Sequence, residues 1–326
     1  MVSLIIPCFN VSEIKLNRMM NSIASQTYSQ LQVLLIDDGS TNNTLSTLHK
    51  WKNNFTSIGF ECKVFTKQNG GMASAINIGL KHFTGKYVCF PDSDDAVEPD
   101  YVSSMLTYLE CNPLCNIVRC NFTMVTEMGS TRDLYVVEQN FYEHGYLKTV
   151  LLKQESTNVW PMLVRADFLR KRIPRLHLHE GGPLASQEWQ LLLPLTYRNN
   201  VALLNKSLYN YYIYPNSHAR SHMANQTSAL KYNAKIKEVL LTTLDTMQLD
   251  PLMHEQFVDV SEFHVARLNM SITDVNETIK YSCASTMACL LKKYMSSNIN
   301  VDTLMLQKRF SYHAYRLQNV LLEINI

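Results

Sequence analysis

The sequence predicts an α/β fold in which a mainly parallel β-sheet is covered by helices and is followed by a helical C-terminal region. Over residues 1–110, short apolar segments of strand length alternate with amphipathic segments of helix length. The distinctive polar residues directly follow the apolar segments, at the edge where the carboxyl ends of parallel strands meet and bind ligands. From residue 229 onward, apolar residues recur at helical spacing. These three observations define the fold class.

The first strands and helices follow in chain order. Strands are expected at residues 4–7, 33–36, 63–66 and 87–90. The first helix is predicted because four apolar residues repeat on one face, namely Leu16, Met19, Met20 and Ile23. Further helices are expected around Leu45 and over 73–83. Since parallel strands need a crossover connection that is usually helical, this alternation indicates a parallel sheet.

The second half of the chain is mixed before it becomes helical. Residues 115–220 contain strand-like segments at 117–120 and 201–204, set between helical and irregular stretches. Helices are then expected from residue 229 onward, with a last one around 310–321. These C-terminal helices could support homo-oligomerisation or membrane contact, but core packing is the default explanation.

The composition is that of a folded protein with a large core. Of the 326 residues, 46% are hydrophobic and 18% are charged, and a chain of this length is expected to form two lobes. No apolar run reaches the roughly 18 residues of a transmembrane helix, and the chain opens on a strand-like segment without a charged leader. We therefore expect a cytoplasmic protein whose eight cysteines are reduced.

The charge is unevenly distributed, although the net charge is only +2. Residues 140–222 carry 10 basic and 5 acidic side chains, and the excess centres on 165–175. Such a cluster could face an anionic acceptor or the lipid headgroups at the inner membrane face, or it could be a solvated helix face. No nucleic-acid partner is expected.

Three aspartates follow the predicted strand at 87–90: Asp92, Asp94 and Asp95. Carboxylates crowded at a strand end repel one another unless a cation or solvent compensates them. Oxygen ligands of this kind suit Mg²⁺ or Mn²⁺, particularly when substrate phosphates complete the coordination. The alternative is an acidic helix entry, with Ser93 or Asp95 near an N-cap.

Several common nucleotide and metal motifs are absent from the sequence. The first strand-helix turn has no Gly-x-Gly-x-x-Gly, and no Gly-x-x-x-x-Gly-Lys occurs, which argues against dinucleotide oxidoreductases and P-loop enzymes. An EF-hand starting at Asp92 fails because its sixth position is Val97 and its twelfth is Ser103. Any phosphate bound at this acidic edge must therefore arrive with a cation.

Four motifs occur together in a recognisable order: Ser3–Asn10, Leu35–Thr41, Gln68–Gly79 and Phe90–Asp95. In these motifs the chain resembles the family 2 glycosyltransferases, which use nucleotide-sugar donors. The resemblance is close over 1–100, looser over 155–221, and absent over the last hundred residues. It implies the GT-A fold, a Rossmann-like fold of nucleotide-diphospho-sugar transferases.

The resemblance also implies which residues contact the nucleotide and the donor sugar. They are Pro7, Phe9, Asn10, Asp38, Asn69, Gly71, Ser74, Asn77, Asp92, Ser93 and Arg220. Pro7 and Phe9 would line the nucleobase pocket, and Asp38 would hydrogen-bond the base, most often uracil. Read alone, Phe9 could equally be a core residue and Asp38 part of a capped turn.

The resemblance implies that Asp94 holds a divalent metal, Mn²⁺ or Mg²⁺, that bridges the donor diphosphate. His218 could be a further metal ligand or a donor to the diphosphate, and Arg220 could clamp the phosphates. A lone loop histidine is more often merely exposed. Many relatives carry arginine where this chain has Ile76, so the donor identity stays open.

The family reaction also needs a general base. Glu188 falls where the catalytic aspartate of the family lies, and it would deprotonate the acceptor in an inverting displacement. Glu180, in the preceding His-Glu-Gly-Gly segment, is the second candidate. The structural alternative for Glu188 is a surface glutamate beside a packing tryptophan.

The sequence therefore predicts an inverting glycosyltransferase with a catalytic domain at 1–221 and a helical region at 222–326. Within the domain, 1–110 would bind the nucleotide sugar, which the resemblance implies is a UDP-sugar, and 111–221 would form the acceptor side. The expected acceptor is a glycan or a lipid-linked acceptor in the synthesis of bacterial surface polysaccharides. The alternatives are a non-catalytic nucleotide-sugar-binding subunit and a nucleotidylyltransferase, whose basic Gly-rich loop is missing.

Overall fold

A computed structural model describes residues 1–126, 129–133, 141–142, 158–182, 187–214, 225–270, 272 and 275–295. The chain divides into two compact units. The first comprises Met1–Leu147 and Glu155–Pro215, and the second comprises Lys148–Gln154 and Asn216–Ile326. The sequence-based domain boundary at residue 221 lies outside the described residues and stays a prediction, as does the division at residue 110.

In the described part of the first unit, ten strands form one sheet. They are β1 Val2–Cys8, β2 Leu31–Asp37, β3 Glu61–Thr66, β4 Tyr87–Cys89, β5 Ala96–Val97, β6 Ile117–Thr126, β7 Gly129–Asp133, β8 Phe141–Tyr142, β9 Met162–Arg165 and β10 Val201–Tyr212. The strand order is β3-β2-β1-β4-β9-β6-β10-β5, with β7 paired to β6 and β8 paired to β10.

The sheet is mainly parallel, as the sequence predicts. Strands β3, β2, β1 and β4 run parallel to one another, and β6 and β10 form a second parallel pair. Strand β9 is antiparallel to both β4 and β6, and it therefore joins the two parallel halves. Because Cys8 pairs with Asp37, the loops that follow β1 and β2 leave the sheet side by side.

In the described part of the first unit, the α-helices are α1 Glu13–Ala24, α2 Thr44–Ser57, α3 Met72–His82, α4 Tyr101–Cys111, α5 Ala166–Arg172 and α6 Gln187–Thr196. Helix α1 buries the four apolar residues that predicted it. Helix α3 packs very closely on β1, because a Cβ atom at Gly79 would lie 2.3 Å from Cγ2 of Ile5. A glycine at this position therefore lets α3 sit directly on the central strand.

The second unit is helical over its described residues, as predicted. Helices α7 Gln226–Thr246, α8 Pro251–Met270 and α9 Glu277–Met295 follow one another. Phe263 of α8 and Met287 of α9 belong to one buried apolar cluster. The last helix expected from the sequence lies outside the described residues. Within the described residues, no helix combines the length and the apolar character that a membrane-spanning segment needs.

Candidate active site

The loops after β1 and β2 are tied together at the carboxyl edge of the sheet. The backbone N–H of Asp38 donates to the carbonyl of Cys8 at 2.8 Å. Asn10, whose φ is 49°, accepts a hydrogen bond from the backbone N–H of Thr41 at 2.8 Å. The ring of Phe9 is 46% exposed beside these contacts. This leaves an aromatic face available at the strand edge, while Pro7 is buried within β1.

Asp38 organises the loop that precedes α3. Its Oδ1 accepts from Nζ of Lys67 at 2.9 Å and from the N–H of Gly70 at 3.1 Å. Its Oδ2 accepts from the N–H of Gly71 at 2.8 Å. The residue is 3% exposed, so the contact predicted with a nucleobase would have to use the remaining acceptor capacity of this carboxylate.

The start of α3 offers polar groups close to this loop. Asn69 is exposed, and Gly39 lies directly against it, since a Cβ at Gly39 would be 2.7 Å from the backbone nitrogen of Asn69. The hydroxyl of Ser74 is buried and has no hydrogen-bond partner. An unpaired buried hydroxyl is costly, so a bound group that satisfies Ser74 would be favoured here.

The acidic loop after β4 is held by a tyrosine of β10. The hydroxyl of Tyr209 donates to Oδ2 of Asp95 at 2.9 Å and accepts from the backbone N–H of Asp92 at 3.0 Å. The other oxygen of Asp95 accepts from the N–H of Tyr212 at 2.8 Å. Ser93, between the two aspartates, is buried. Sequence reasoning missed Tyr209, although the tyrosine-rich pattern of 209–214 marks this strand as unusual.

The carboxylates of the acidic loop repel one another. Burial, and after it the charge of Asp94, raises the pKa of Asp95 to about 8. Burial also raises the pKa of Asp92 well above its ordinary value, and so do the charges of Asp95, Asp94 and Glu188. Such a group of carboxylates favours a bound cation.

Helix α1 brings two basic residues to the acidic loop. Arg18 donates to the carbonyl of Asp94, and its guanidinium lies 3.5 Å from the ring centroid of Tyr212. The Nζ of Lys15 lies 3.2 Å from the ring centroid of Tyr214. Burial raises the pKa of Asp94, whereas the charges of Lys15 and Arg18 oppose this shift. These two residues were not among those predicted from the sequence.

Glu188 reaches the acidic loop from the first turn of α6. Its charge raises the pKa of Asp92, so the two carboxylates are near enough to repel each other. Glu180 has a different environment, because its Oε1 accepts from Nδ2 of Asn77 at 2.9 Å. The charge of Glu188 therefore reaches Asp92 of the acidic loop, and the side chain of Glu180 is bound to α3.

Asn77, predicted to contact the donor, is fully buried and binds the segment before α6. Its Oδ1 accepts from the N–H of Leu178 at 2.7 Å, and its Nδ2 donates to the carbonyl of Leu178 at 2.8 Å. On α6, Oε1 of Gln190 accepts from the N–H of His179 at 2.5 Å, and Nε2 donates to the carbonyl of His179 at 3.1 Å. We call these four hydrogen bonds the amide clamp, and they connect α3 with α6.

Two predicted site residues, His218 and Arg220, lie outside the described residues. Among the residues that the structure describes, no three histidine, cysteine, aspartate or glutamate side chains are grouped so as to hold a metal ion. A complete ligand set would thus need groups beyond the described side chains, such as phosphate oxygens of a substrate.

Comparison with known proteins identifies the class. The family description "Glycosyl transferase family 2" matches residues 3–169, and the chain belongs to this family. It is a glycosyltransferase with the GT-A fold, and the sequence-based prediction of fold and enzyme class is confirmed.

Individual relatives are more distant. The chain is 27% identical over 230 residues to the glycosyltransferase GlyA of Streptococcus pneumoniae serotype 4. This alignment covers 67% of this chain but only 31% of GlyA. TarS residues 1–349 of S. aureus, solved in complex with UDP-GlcNAc, aligns with a TM-score of 0.66 and 17% identity over 89% of this chain and 80% of that one. The mannosyltransferase PcManGT of Pyrobaculum calidifontis, solved with GDP-Man and Mn²⁺, aligns with a TM-score of 0.52 and 15% identity over 95% and 84%. At this level of identity, the two solved structures show the fold alone.

Proposed function

We propose that this protein transfers a sugar from a UDP-linked donor to a hydroxyl group of a glycan or lipid-linked acceptor, with inversion at the anomeric carbon, in bacterial surface-polysaccharide synthesis. The observation that carries the proposal is the grouping of Asp92, Asp94 and Asp95 after β4, with the charge of Glu188 acting on Asp92. TarS, which shares the fold, binds UDP-GlcNAc, and GlyA is a bacterial glycosyltransferase.

The nucleotide would bind over β1 and β2. The exposed ring of Phe9 offers a stacking face for the base, and Asn69 is exposed nearby. The unpaired hydroxyl of Ser74, in the first turn of α3, is suited to an anionic or hydroxyl-bearing part of the donor. Arg220 would add a charge-assisted contact to the phosphates.

Mn²⁺ or Mg²⁺ would be held by Asp94, with Asp92 beside it. Both oxygens of Asp95 already accept hydrogen bonds from Tyr209 and Tyr212. The carboxylates supply the hard oxygen atoms that these ions prefer, and His218 together with the donor phosphates would complete the ligand set. When bound, the ion would stabilise the charge that develops on the departing diphosphate.

Glu188 would act as the general base. It accepts the proton of the acceptor hydroxyl, whose oxygen forms a bond to the anomeric carbon. The bond between that carbon and the diphosphate oxygen breaks from the opposite side, and UDP leaves with the electron pair. Glu188 is preferred to Glu180 because its charge reaches Asp92, whereas Glu180 is hydrogen-bonded to Asn77.

Contact with a membrane surface would suit a lipid-linked acceptor. Of the cations in 165–175, Arg165 is paired with Glu110 at 2.7 Å, and Arg172 donates to the carbonyl of Tyr197 at 2.9 Å. The remaining three, Arg170, Lys171 and Arg175, are exposed, and Arg170 also pairs with the exposed Asp167 at 3.1 Å. We place the enzyme at the cytoplasmic face of the membrane. Flotation with anionic vesicles that is unchanged by reversal of these three charges would refute that placement.

UDP release from a panel of UDP-sugars with Mn²⁺ tests the proposed reaction. Wild type should release UDP from one donor, slowly without acceptor. Glu188→Gln should lower turnover by about 10²–10⁴-fold, the usual contribution of a general base, and Asp94→Ala should abolish the response to Mn²⁺. Glu180→Gln is the matched control and should keep most of the activity.

Other outcomes would redirect the proposal. If Glu180→Gln lost activity and Glu188→Gln kept it, the base would be Glu180. If wild type bound UDP but turned over no donor with any acceptor, the non-catalytic nucleotide-sugar-binding subunit would be the better description.

A further inference from the structure

An aromatic stack lies beside the acidic loop, and two of its members, Trp160 and Tyr211, have no part in the proposed chemistry. The indole of Trp160 is buried, with 2% exposure. It stacks on Tyr209 at a centroid distance of 4.2 Å and an interplanar angle of 23°, and on Tyr211 at 5.5 Å and 15°. Phe122 packs edge-on against the same indole at 4.9 Å. The rings therefore support one another.

Tyr211 differs from the other members of the stack because it is only partly buried. It shares a face of β10 with Tyr209, two residues earlier, since side chains alternate along a strand. Two other residues of β10 contact Asp95 of the acidic loop. Tyr209 does so through its hydroxyl, and Tyr212 does so through its backbone N–H. The Tyr211 ring thus lies at the edge of the site, backed by a rigid indole.

The position in the sheet decides which substrate this ring can meet. The loops proposed for the nucleotide follow β1 and β2, whereas β10 lies on the other side of β4, beyond β9 and β6. The acidic loop leaves β4, between these two regions. A group that approaches the donor sugar from the β10 side therefore comes from the side opposite to the nucleotide, which is the side of the acceptor.

The charges around the hydroxyl agree with this location. Burial raises the pKa of Tyr211, and the charges of four carboxylates raise it further. In order of effect, these belong to Asp95, Asp92, Asp94 and Glu188. The phenol therefore lies within electrostatic reach of both the acidic loop and the proposed base.

We propose that Tyr211, backed by Trp160, forms a platform on which a pyranose ring of the acceptor stacks. A pyranose ring has one face of axial C–H groups and a rim of hydroxyls. It can therefore pack on the aromatic ring while a hydroxyl at its rim approaches Glu188. This inference rests on the proposed function and adds to it that the acceptor ends in a sugar ring.

Binding of simple glycosides tests the platform without turnover. Saturation-transfer NMR with a panel of methyl pyranosides, on the full chain with UDP and Mn²⁺, should detect at least one bound glycoside. Tyr211→Phe keeps the ring and should retain binding. Tyr211→Leu removes the ring and should weaken binding about tenfold, as loss of an aromatic contact of about 1.4 kcal/mol implies. Tyr281→Leu, at an exposed tyrosine of α9, is the matched control and should have no effect.

A measurement on wild type covers the case in which Tyr211→Leu does not fold. Saturation of the aromatic protein protons should reach the axial C–H protons on one face of the bound ring more strongly than the others. Uniform transfer, unchanged binding in Tyr211→Leu, or no bound glycoside would each overturn the inference. UDP affinity, measured by calorimetry in the same samples, distinguishes failure of the platform from failure of the proposed function. The proposed function predicts that every variant binds UDP, whether or not a glycoside binds.

Discussion

At the scale of single residues, the hydroxyl of Tyr209 joins the two ends of the acidic loop. Tyr209→Phe removes the donor to Asp95 and the acceptor for the N–H of Asp92. Because a buried polar group is then left unpaired, we expect a loss of about 1–3 kcal/mol in the free energy of unfolding. We also expect weaker Mn²⁺-dependent turnover, since Asp92 and Asp94 lose their fixed positions. Urea denaturation and UDP release measure the two effects.

Tyr101→Phe is the matched control for that change. Tyr101 is equally buried, packs edge-on against Tyr209, and donates its hydroxyl hydrogen to the carbonyl of Trp160 at 2.7 Å. Its loss should lower stability similarly but leave the Mn²⁺ response unchanged. Equal effects of both variants on turnover would mean that Tyr209 acts only through the stability of the core.

The residues that sequence reasoning found and those that it missed differ in the range of their contacts. Asp92, Asp94 and Asp95 form a local motif, so their grouping follows from the strand that precedes them. Tyr209 is hydrogen-bonded to Asp95, which is 114 positions away in the sequence. Arg18 is hydrogen-bonded to Asp94, which is 76 positions away. No local pattern records such contacts, because they arise only when the sheet assembles.

At the scale of helices and strands, the amide clamp fixes the separation of α3 from α6. Gln190→Ala removes both hydrogen bonds to the backbone of His179. It lies half a turn of helix after Glu188, so we expect the proposed base to lose its fixed position. The predicted result is a fall in kcat of about tenfold or more, because small misplacements of reacting groups are costly. Donor affinity should change little, and steady-state kinetics would separate the two.

Asn199→Ala is the control at the other end of α6. Asn199 is buried and uses its amide in the same way, donating to the carbonyl of Leu195 at 3.1 Å and accepting from Asn116 at 2.9 Å. Its loss should destabilise the protein without the selective effect on kcat. A fall in kcat of equal size in both variants would show that α6 responds to any loss of stability.

The elements were predictable where their hydrophobic period is regular. Strands β1 and β2 are fully buried, with every residue apolar or satisfied, and helix α1 shows one apolar face. Strand β9 has only four residues, and it enters the sheet antiparallel between β4 and β6. Such a short insertion carries no periodic signal, so its place depends on the finished sheet. The amide clamp on Leu178 and His179 was also missed, because its hydrogen bonds form only when α3 and α6 come together in the folded chain.

At the scale of the whole molecule, the acidic loop is a site where stability is given up for function. The charge of Asp94 raises the pKa values of both Asp92 and Asp95, so these carboxylates destabilise the folded state when no cation is bound. We expect Asp94→Asn to melt at the same or a higher temperature than wild type in the presence of a chelator. The measurement is thermal unfolding followed by circular dichroism.

With Mn²⁺ bound, wild type should instead melt at a higher temperature than Asp94→Asn. A ligand that binds only the folded state stabilises it by about 2.7 kcal/mol at a concentration 100 times its dissociation constant, which corresponds to a rise in Tm of about 4 °C for a chain of this length. Wild type with UDP should show this rise, whereas Asp94→Asn should not. Asp167→Asn, at a fully exposed carboxylate of α5, should behave like wild type. If Mn²⁺ stabilised Asp94→Asn as strongly as wild type, Asp94 would not be the metal ligand, and the acidic loop would serve the donor through hydrogen bonds alone.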